Sequence, residues 1–284
     1  MKKIHRLSSV GSTNNLARTL IASGVQPGEV VISDIQTAGR GRENLNDKRK
    51  IHRLSSVGST NNLARTLIAS GVQPGEVVMS DIQTAGRGRG ENVWVSPPGG
   101  LWFSIIFFPS NLAPERLPLF SLAVGLVIAK EIERETGLCC AIKWPNDLYL
   151  KEKKVCGILI ESKIRLKSVE WLIVGVGLNL NVDKGLLPEG AGSIKEELKA
   201  EIEKERIFLA LLSEIEKTCI GFQEESLQFL IEIKKRCLSL GRSVRFNLND
   251  KTFVGEAVDI DTNGRLVAEV EGKRYHLLSD TELL

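Results

Sequence analysis

Residues 139–182 read CCAIKWPNDLYLKEKKVCGILIESKIRLKSVEWLIVGVGLNLNV. CCAIKW has the composition of a strand and is bounded by Pro145, which cannot donate to a ladder. LYLKEKKVCGILIESKI reads as a hairpin that turns around Lys151 to Lys153, and WLIVGVGLNLNV as another strand-rich run. Several strands follow one another with no helix between them. That order predicts a mainly antiparallel α+β sheet rather than a doubly wound parallel one.

Upstream, RLPLFSLAVGLVIAKEIERETG predicts a long, mostly buried helix closed by Gly137, and LWFSIIFFP a strand that ends at Pro109. IHRL, from Ile51, reads as a short strand. It leads into SVGSTNNLARTLIAS, where Ser59 or Thr60 is an N-cap and Leu63, Leu67 and Ile68 recur at helical spacing. Pro74-Gly75 turns the chain into the strand GEVVMSDIQ and then the glycine-rich loop AGRGRGEN. Downstream, residues 194 to 237 read as two helices rich in Leu, Ile, Glu and Lys. After Gly241 short alternating segments are separated by Asn249-Asp250, Asn263-Gly264 and Glu271-Gly272. These turn signals predict a small β-barrel that leans on the larger part for stability.

Lys3 to Arg42 returns as Lys50 to Arg89, displaced by 47 residues, with Ile32 against Met79 as the single difference. Two such units do not make a stacking solenoid. The first copy continues into polar, charged sequence and the second into GENVWVSPPGGLWFSIIFF, so the functional reading rests on the second. The expected division is a non-functional duplicate at 1–49, a catalytic domain at 50–238 and a C-terminal domain at 239–284. Residues 1 to 47 are expected to be loosely packed or disordered, with room for a minor population exchanged into the second copy's place.

The 284 residues suffice for one large core with a small appendage, and 42% hydrophobic with 26% charged residues is ordinary for a globular protein. A net charge of +3 gives no basic face of the kind nucleic-acid binders carry, and KEELKAEIEKER reads as a solvated helix surface. No apolar run is long enough for a membrane helix, and the N-terminus lacks a signal-peptide core. The five cysteines have no metal-ligand spacing and read as small hydrophobes in a reducing compartment. A cytoplasmic protein is expected.

Four segments carry chemistry. Gly58-Ser59-Thr60-Asn61 opens a helix, where free backbone N–H groups and side-chain donors converge; an ordinary N-cap would look the same. In Gln83-Thr84-Ala85-Gly86-Arg87-Gly88-Arg89 the glycines admit close backbone approach and the arginines offer forked donors for carboxylate or phosphate. It is neither a Walker A loop nor a Rossmann fingerprint. Trp94-x-Ser96-Pro97-Pro98-Gly99-Gly100-Leu101 is a loop packed on a tryptophan. Lys143-Trp144-Pro145-Asn146-Asp147, with Lys154 and Gly157 to Glu161, wedges polar groups among apolar strands, which is costly unless they are paired or liganded. These residues suit a nucleotide with Mg²⁺.

In this order GSTN, QTAGRGR, W-x-SP-x-GGL, KWPND, a lysine eleven residues after the first of KWPND, GILIE and GVGLN resemble the motifs of the biotin protein ligases, from Ile51 to Leu284. The resemblance implies a catalytic domain related to class II aminoacyl-tRNA synthetases and a C-terminal SH3-like β-barrel. It implies that biotin and ATP form biotinyl-5′-AMP, from which biotin passes to a lysine of a biotin carboxyl carrier protein. Ser59, Thr60, Asn61 and Gln83 would hold the ureido end of biotin. Arg87, Gly88 and Arg89 would wrap its carboxylate and the adenylate phosphate, with Lys154 at the reacting atoms and Gly157 beside biotin. Lys143, Asn146, Asp147 and Asn179 would serve ATP, Asp147 would hold Mg²⁺, and Trp94 would cover the adenylate. A homodimer is also implied.

One departure bears on adenylate retention and ATP affinity: the last arginine of the family's loop pattern is Asn92 here, beside Glu91. Nothing before Ile51 resembles the winged helix of bifunctional members, so neither DNA binding nor a biotin-responsive regulator is expected. A lipoate–protein ligase is the alternative enzyme. Its ligand has no ureido ring, so it would leave those pocket groups unpaired.

Overall fold

The computed structural model describes residues 50–249, 251–278 and 281–284. The expectations for the first copy lie outside the described residues.

Seven strands form one sheet: β1 (Ile51–Val57), β2 (Val77–Gln83), β3 (Leu101–Phe107), β4 (Ala141–Lys143), β5 (Asp147–Leu150), β6 (Lys153–Arg165) and β7 (Ser168–Leu178). Their order is β1-β2-β3-β7-β6-β5-β4. β1 and β2 are parallel and joined through helix α1 (Thr60–Ala69), while every other pair is antiparallel, as the run of helix-free strands predicts. Thirteen- and eleven-residue strands at β6 and β7 form the centre, closed by a tight turn at Leu166 with φ 58°.

One face of the sheet is covered by α2 (Leu117–Thr136) and α4 (Lys204–Arg236); between them in sequence lies the five-residue α3 (Ile194–Leu198). α2 is buried on nearly all sides, which its continuous apolar run requires. It ends where expected, at Gly137 with φ 72°, a left-handed cap that glycine adopts without a Cβ clash. Phe103 of β3 meets Phe208 of α4 edge to face at 5.4 Å, and Phe120 of α2 meets Phe222 at 5.2 Å. The opposite face holds a smaller core in which Leu63, Ala64 and Leu67 of α1 pack on Val78, Ile106 and Ile173. The rest of that face is left for the site. Of the five cysteines, Cys140 and Cys156 are buried, whereas Cys139 is exposed.

The C-terminal strands are β8 (Ser243–Leu248), β9 (Lys251–Ile260), β10 (Leu266–Val270), β11 (Lys273–Leu277) and β12 (Thr281–Leu283). They correct the expected SH3-like barrel. Among the described residues the sheet is open, ordered β11-β10-β9-β8-β12, with β11 and β12 as edges that do not meet. Its apolar face is covered by the body of the protein instead of by closure. Val244, Phe246, Ala257, Ile260, Leu266 and Ala268 belong to the same core as α2 and α4. The junction is tight: the Trp144 indole donates to Gly264 O at 2.9 Å, and a Cβ on Gly264 would lie 2.2 Å from the Leu119 nitrogen.

Candidate active site

Register places the site. On the face opposite α2 and α4, β3 presents Trp102 and Ser104, β7 presents Gly177 and Gly175, and β6 presents Gly157, Leu159 and Glu161, each row paired across the strands. The glycines make a floor on which side chains can lie flat. A Cβ on Gly175 would be 2.1 Å from Asn61 Oδ1, and one on Gly177 would be 2.5 Å from Trp94 Nε1.

Lys154 reaches this face through a register slip. Leu148 faces Cys156 but Tyr149 faces Lys154, so β6 carries one extra residue, Val155. Strict alternation back from Gly157 would have aimed Lys154 into the core. Instead its ammonium is 2.6 Å from Asp147 Oδ2 and 5.2 Å from the Trp94 ring. Burial pushes the Asp147 carboxyl above its ordinary value, against the opposing pull of Lys154, and its other oxygen is buried without a hydrogen-bond partner.

The opposite end of the site is the start of α1. Ser59 is the N-cap, its hydroxyl accepting from Asn62 N at 3.5 Å, and Ser59, Thr60 and Asn61 are all buried. Gln83 Oε1 accepts from the Thr60 backbone at 2.8 Å and from its hydroxyl at 3.1 Å, while Gln83 Nε2 donates to Ser96 Oγ at 2.8 Å. The Ser104 hydroxyl lies 2.6 Å from Asn61 Oδ1 and 2.8 Å from Thr60 Oγ1. Asn61 Nδ2 donates to Glu161 Oε2 at 2.9 Å.

The glycine-rich loop folds as a narrow hairpin over both ends. Trp94 N donates to Gly86 O at 2.9 Å, Gly88 N to Asn92 O at 2.7 Å, and Gly90 turns at φ 61°. Arg87 points toward α1, donating to Asn62 Oδ1 at 3.0 Å and Glu161 Oε1 at 2.9 Å. Arg89 donates to Leu278 O at 2.8 Å, and Thr281 also borders the site, so the C-terminal sheet touches the loop. Beneath the loop lies a cavity of about 940 Å³.

Ser59, Thr60, Asn61, Gln83, Arg87, Gly88, Arg89, Trp94, Asn146, Asp147, Lys154 and Gly157 all line this cavity. Two residues predicted with them do not. Asn179 borders an adjoining cavity of about 250 Å³ with Trp94, Tyr149 and Lys154, its Nδ2 donating to Gly192 O at 2.9 Å and its Oδ1 buried without a partner. Lys143 lies over the Tyr149 ring at 5.3 Å. The Asn146 amide is engaged by Ile158 O at 2.6 Å. Ser104 was not singled out from the sequence. A serine inside the apolar strand LWFSIIF was the available signal, since a buried hydroxyl needs a partner.

Residues 54–179 match the biotin/lipoate A/B protein ligase family, and residues 239–279 match the biotin protein ligase C terminal domain. The chain is 30% identical over 283 residues to the bifunctional ligase/repressor BirA of Bacillus subtilis strain 168, covering 96% of this chain and 72% of that protein. It is 32% identical over 161 residues to the biotin–[acetyl-CoA-carboxylase] ligase of Mycobacterium tuberculosis, covering 54% of this chain and 57% of that one. The solved biotin protein ligase from Aquifex aeolicus in complex with biotin and ATP matches with a TM-score of 0.70 and 31% identity, over 83% of this chain and 98% of that chain. The chain belongs to the biotin/lipoate A/B protein ligase family.

Proposed function

We infer that this protein is an ATP-dependent biotin–protein ligase, forming biotinyl-5′-AMP and passing the biotinyl group to a lysine of a biotin carboxyl carrier domain. The observation that carries the reading is one cavity with two chemically distinct ends. A neutral hydrogen-bonding cluster (Ser59, Thr60, Asn61, Gln83) suits a ureido ring, and Lys154 beside Asp147 suits the reacting anions.

In the first step a biotin carboxylate oxygen bonds to the α-phosphorus and pyrophosphate leaves. Two anions must approach, so cationic donors already held in place lower the barrier. Lys154 serves the carboxylate and α-phosphate, Arg89 and the Gly88 backbone the adenylate phosphate, and Trp94, Asn146 and Asn179 the nucleotide. In the second step the acceptor amine attacks the acyl carbon and AMP leaves. No side chain need act as a covalent nucleophile, because the acyl phosphate is already activated. The loop keeps water from that anhydride.

Mg²⁺ commonly binds one or two carboxylates together with substrate phosphates. The unpaired Asp147 oxygen fits that role, and no group of three acidic, His or Cys side chains converges among the described residues. Bound there, the ion would neutralise phosphate charge. Pairing through a sheet edge such as β1, whose one strand partner among the described residues is β2, would give a homodimer. The test is ATP–pyrophosphate exchange with biotin and with lipoate in parallel: exchange driven by biotin supports the reading, and exchange driven by lipoate alone overturns it.

A further inference from the structure

Three elements meet at one carboxylate. Glu161 of β6 accepts from the Asn61 amide of α1 at 2.9 Å, from the Arg87 guanidinium of the loop at 2.9 Å, and from Arg65 of α1. Its side chain is only 15% exposed, while those of Arg65 and Arg87 are 46% and 37% exposed, so a shielded carboxylate gathers two guanidiniums that stay partly in solvent. Arg65 and Arg87 are both cations aimed at the same oxygen, and without Glu161 they would repel each other beside the neutral end of the cavity.

From this convergence we propose that Glu161 is a positioning residue for biotin recognition. It sets the Asn61 amide and keeps the Arg87 guanidinium turned away from the ligand. The proposal rests on the ligase reading. Asn61 is held on both sides: Oδ1 lies against Ser104 at 2.6 Å and Nδ2 against Glu161 at 2.9 Å, with the amide lying over Gly175 in the space a Cβ there would take. That orientation decides which group of the amide a ureido ring meets. Pairing Arg87 with Glu161 prevents an unmatched cation from attracting the carboxylate of biotin, or a phosphate, to the wrong end. Arg87 then contributes to the pocket through the backbone it anchors, leaving Lys154 and Arg89 at the end where charge develops.

The consequence is a separation of kinetic effects. Glu161→Gln keeps the size and one acceptor oxygen but removes the charge that holds both arginines. The expected result is a KM for biotin raised about tenfold, with kcat at saturating biotin and the KM for ATP within about threefold of wild type. Glu161→Asp keeps the charge at shorter reach and should fall between Gln and wild type. Asn61→Ala combined with Glu161→Gln should be less than additive in biotin KM, because the two residues act through one contact.

The measurement is steady-state pyrophosphate exchange over biotin and ATP concentrations, with thermal unfolding of each variant alongside. A fall in kcat with unchanged biotin KM, or equal rises in both KM values, would overturn the positioning role. If Glu161→Gln does not fold, Glu161→Asp carries the test: a biotin KM equal to wild type would overturn it. Biotin-driven exchange by the wild type stands or falls separately, so failure of the ligase reading and failure of this proposal are distinguishable.

Discussion

Gly175→Ala should disable biotin binding while leaving nucleotide chemistry nearly intact. The added Cβ would stand 2.1 Å from Asn61 Oδ1 and 2.9 Å from its Cγ, where ordinary contact begins near 3.4 Å. The backbone cannot retreat, because β7 is the central strand and Gly175 is paired with Ser104 on one side and Leu159 on the other. Asn61 must therefore move by about an ångström, separating it from Ser104 at 2.6 Å and Glu161 at 2.9 Å. One neutral and one charged hydrogen bond are lost, together costing about 2–4 kcal/mol. If that cost falls on the bound state, biotin affinity drops roughly thirtyfold to nearly a thousandfold. Overpacking also lowers fold stability by about 1–3 kcal/mol, so calorimetric titration with biotin should be run below the variant's unfolding temperature. Gly177→Ala is the matched control, since its methyl meets Trp94 Nε1 at 2.5 Å and not Asn61. It should impair ATP use more than biotin binding. A Gly175→Ala protein with wild-type biotin affinity would refute the packing argument.

Lys154→Ala should fold normally and slow biotinyl-AMP formation by about a hundred- to a thousandfold, since a donor aimed at developing charge is lost; pyrophosphate exchange at the wild-type rate would exclude the role. Arg89→Gly should speed release of biotinyl-AMP and label bystander lysines, the loop having lost both its cation and its contact with Leu278 O; an unchanged adenylate off-rate would show that Arg89 is not a loop anchor. Deleting residues 1 to 47 should leave melting temperature and biotinylation rate unchanged, because the second copy supplies β1, α1 and the loop. A loss of either would make the duplicate an integrated part of the protein.

Much of this architecture was legible in the sequence because local signals and tertiary demands agree. Consecutive strands between Ala141 and Leu178 predicted the antiparallel sheet, and Ser59 before an apolar helical repeat predicted a capped α1. The C-terminal turns were readable as well, but whether a sheet closes depends on what covers its apolar face. Here α2 and the Trp144 turn cover it, a long-range fact that no turn residue encodes. The site was partly legible for the same reason. Lys154 stood out by its place eleven residues after Lys143, yet its orientation depends on a one-residue slip opposite Leu148 and Tyr149 that alternation alone denies. Lys143 sits in the same conspicuous motif as Asp147 and lies over Tyr149, outside both cavities of the site. Glu161 stood in the conspicuous run Gly157 to Glu161, but its partners could not be read, because Asn61, Arg65 and Arg87 are far away in sequence.

The most direct test is transfer itself. The purified chain is incubated with ATP, biotin and a biotin carboxyl carrier domain, and the acceptor is examined by intact and peptide mass spectrometry. The expected product carries one biotinyl group on one acceptor lysine, dependent on ATP, absent with Lys154→Ala and not replaced by lipoyl when lipoate is supplied. An acceptor left unmodified by biotin, or modified by lipoate in its place, would contradict the ligase reading.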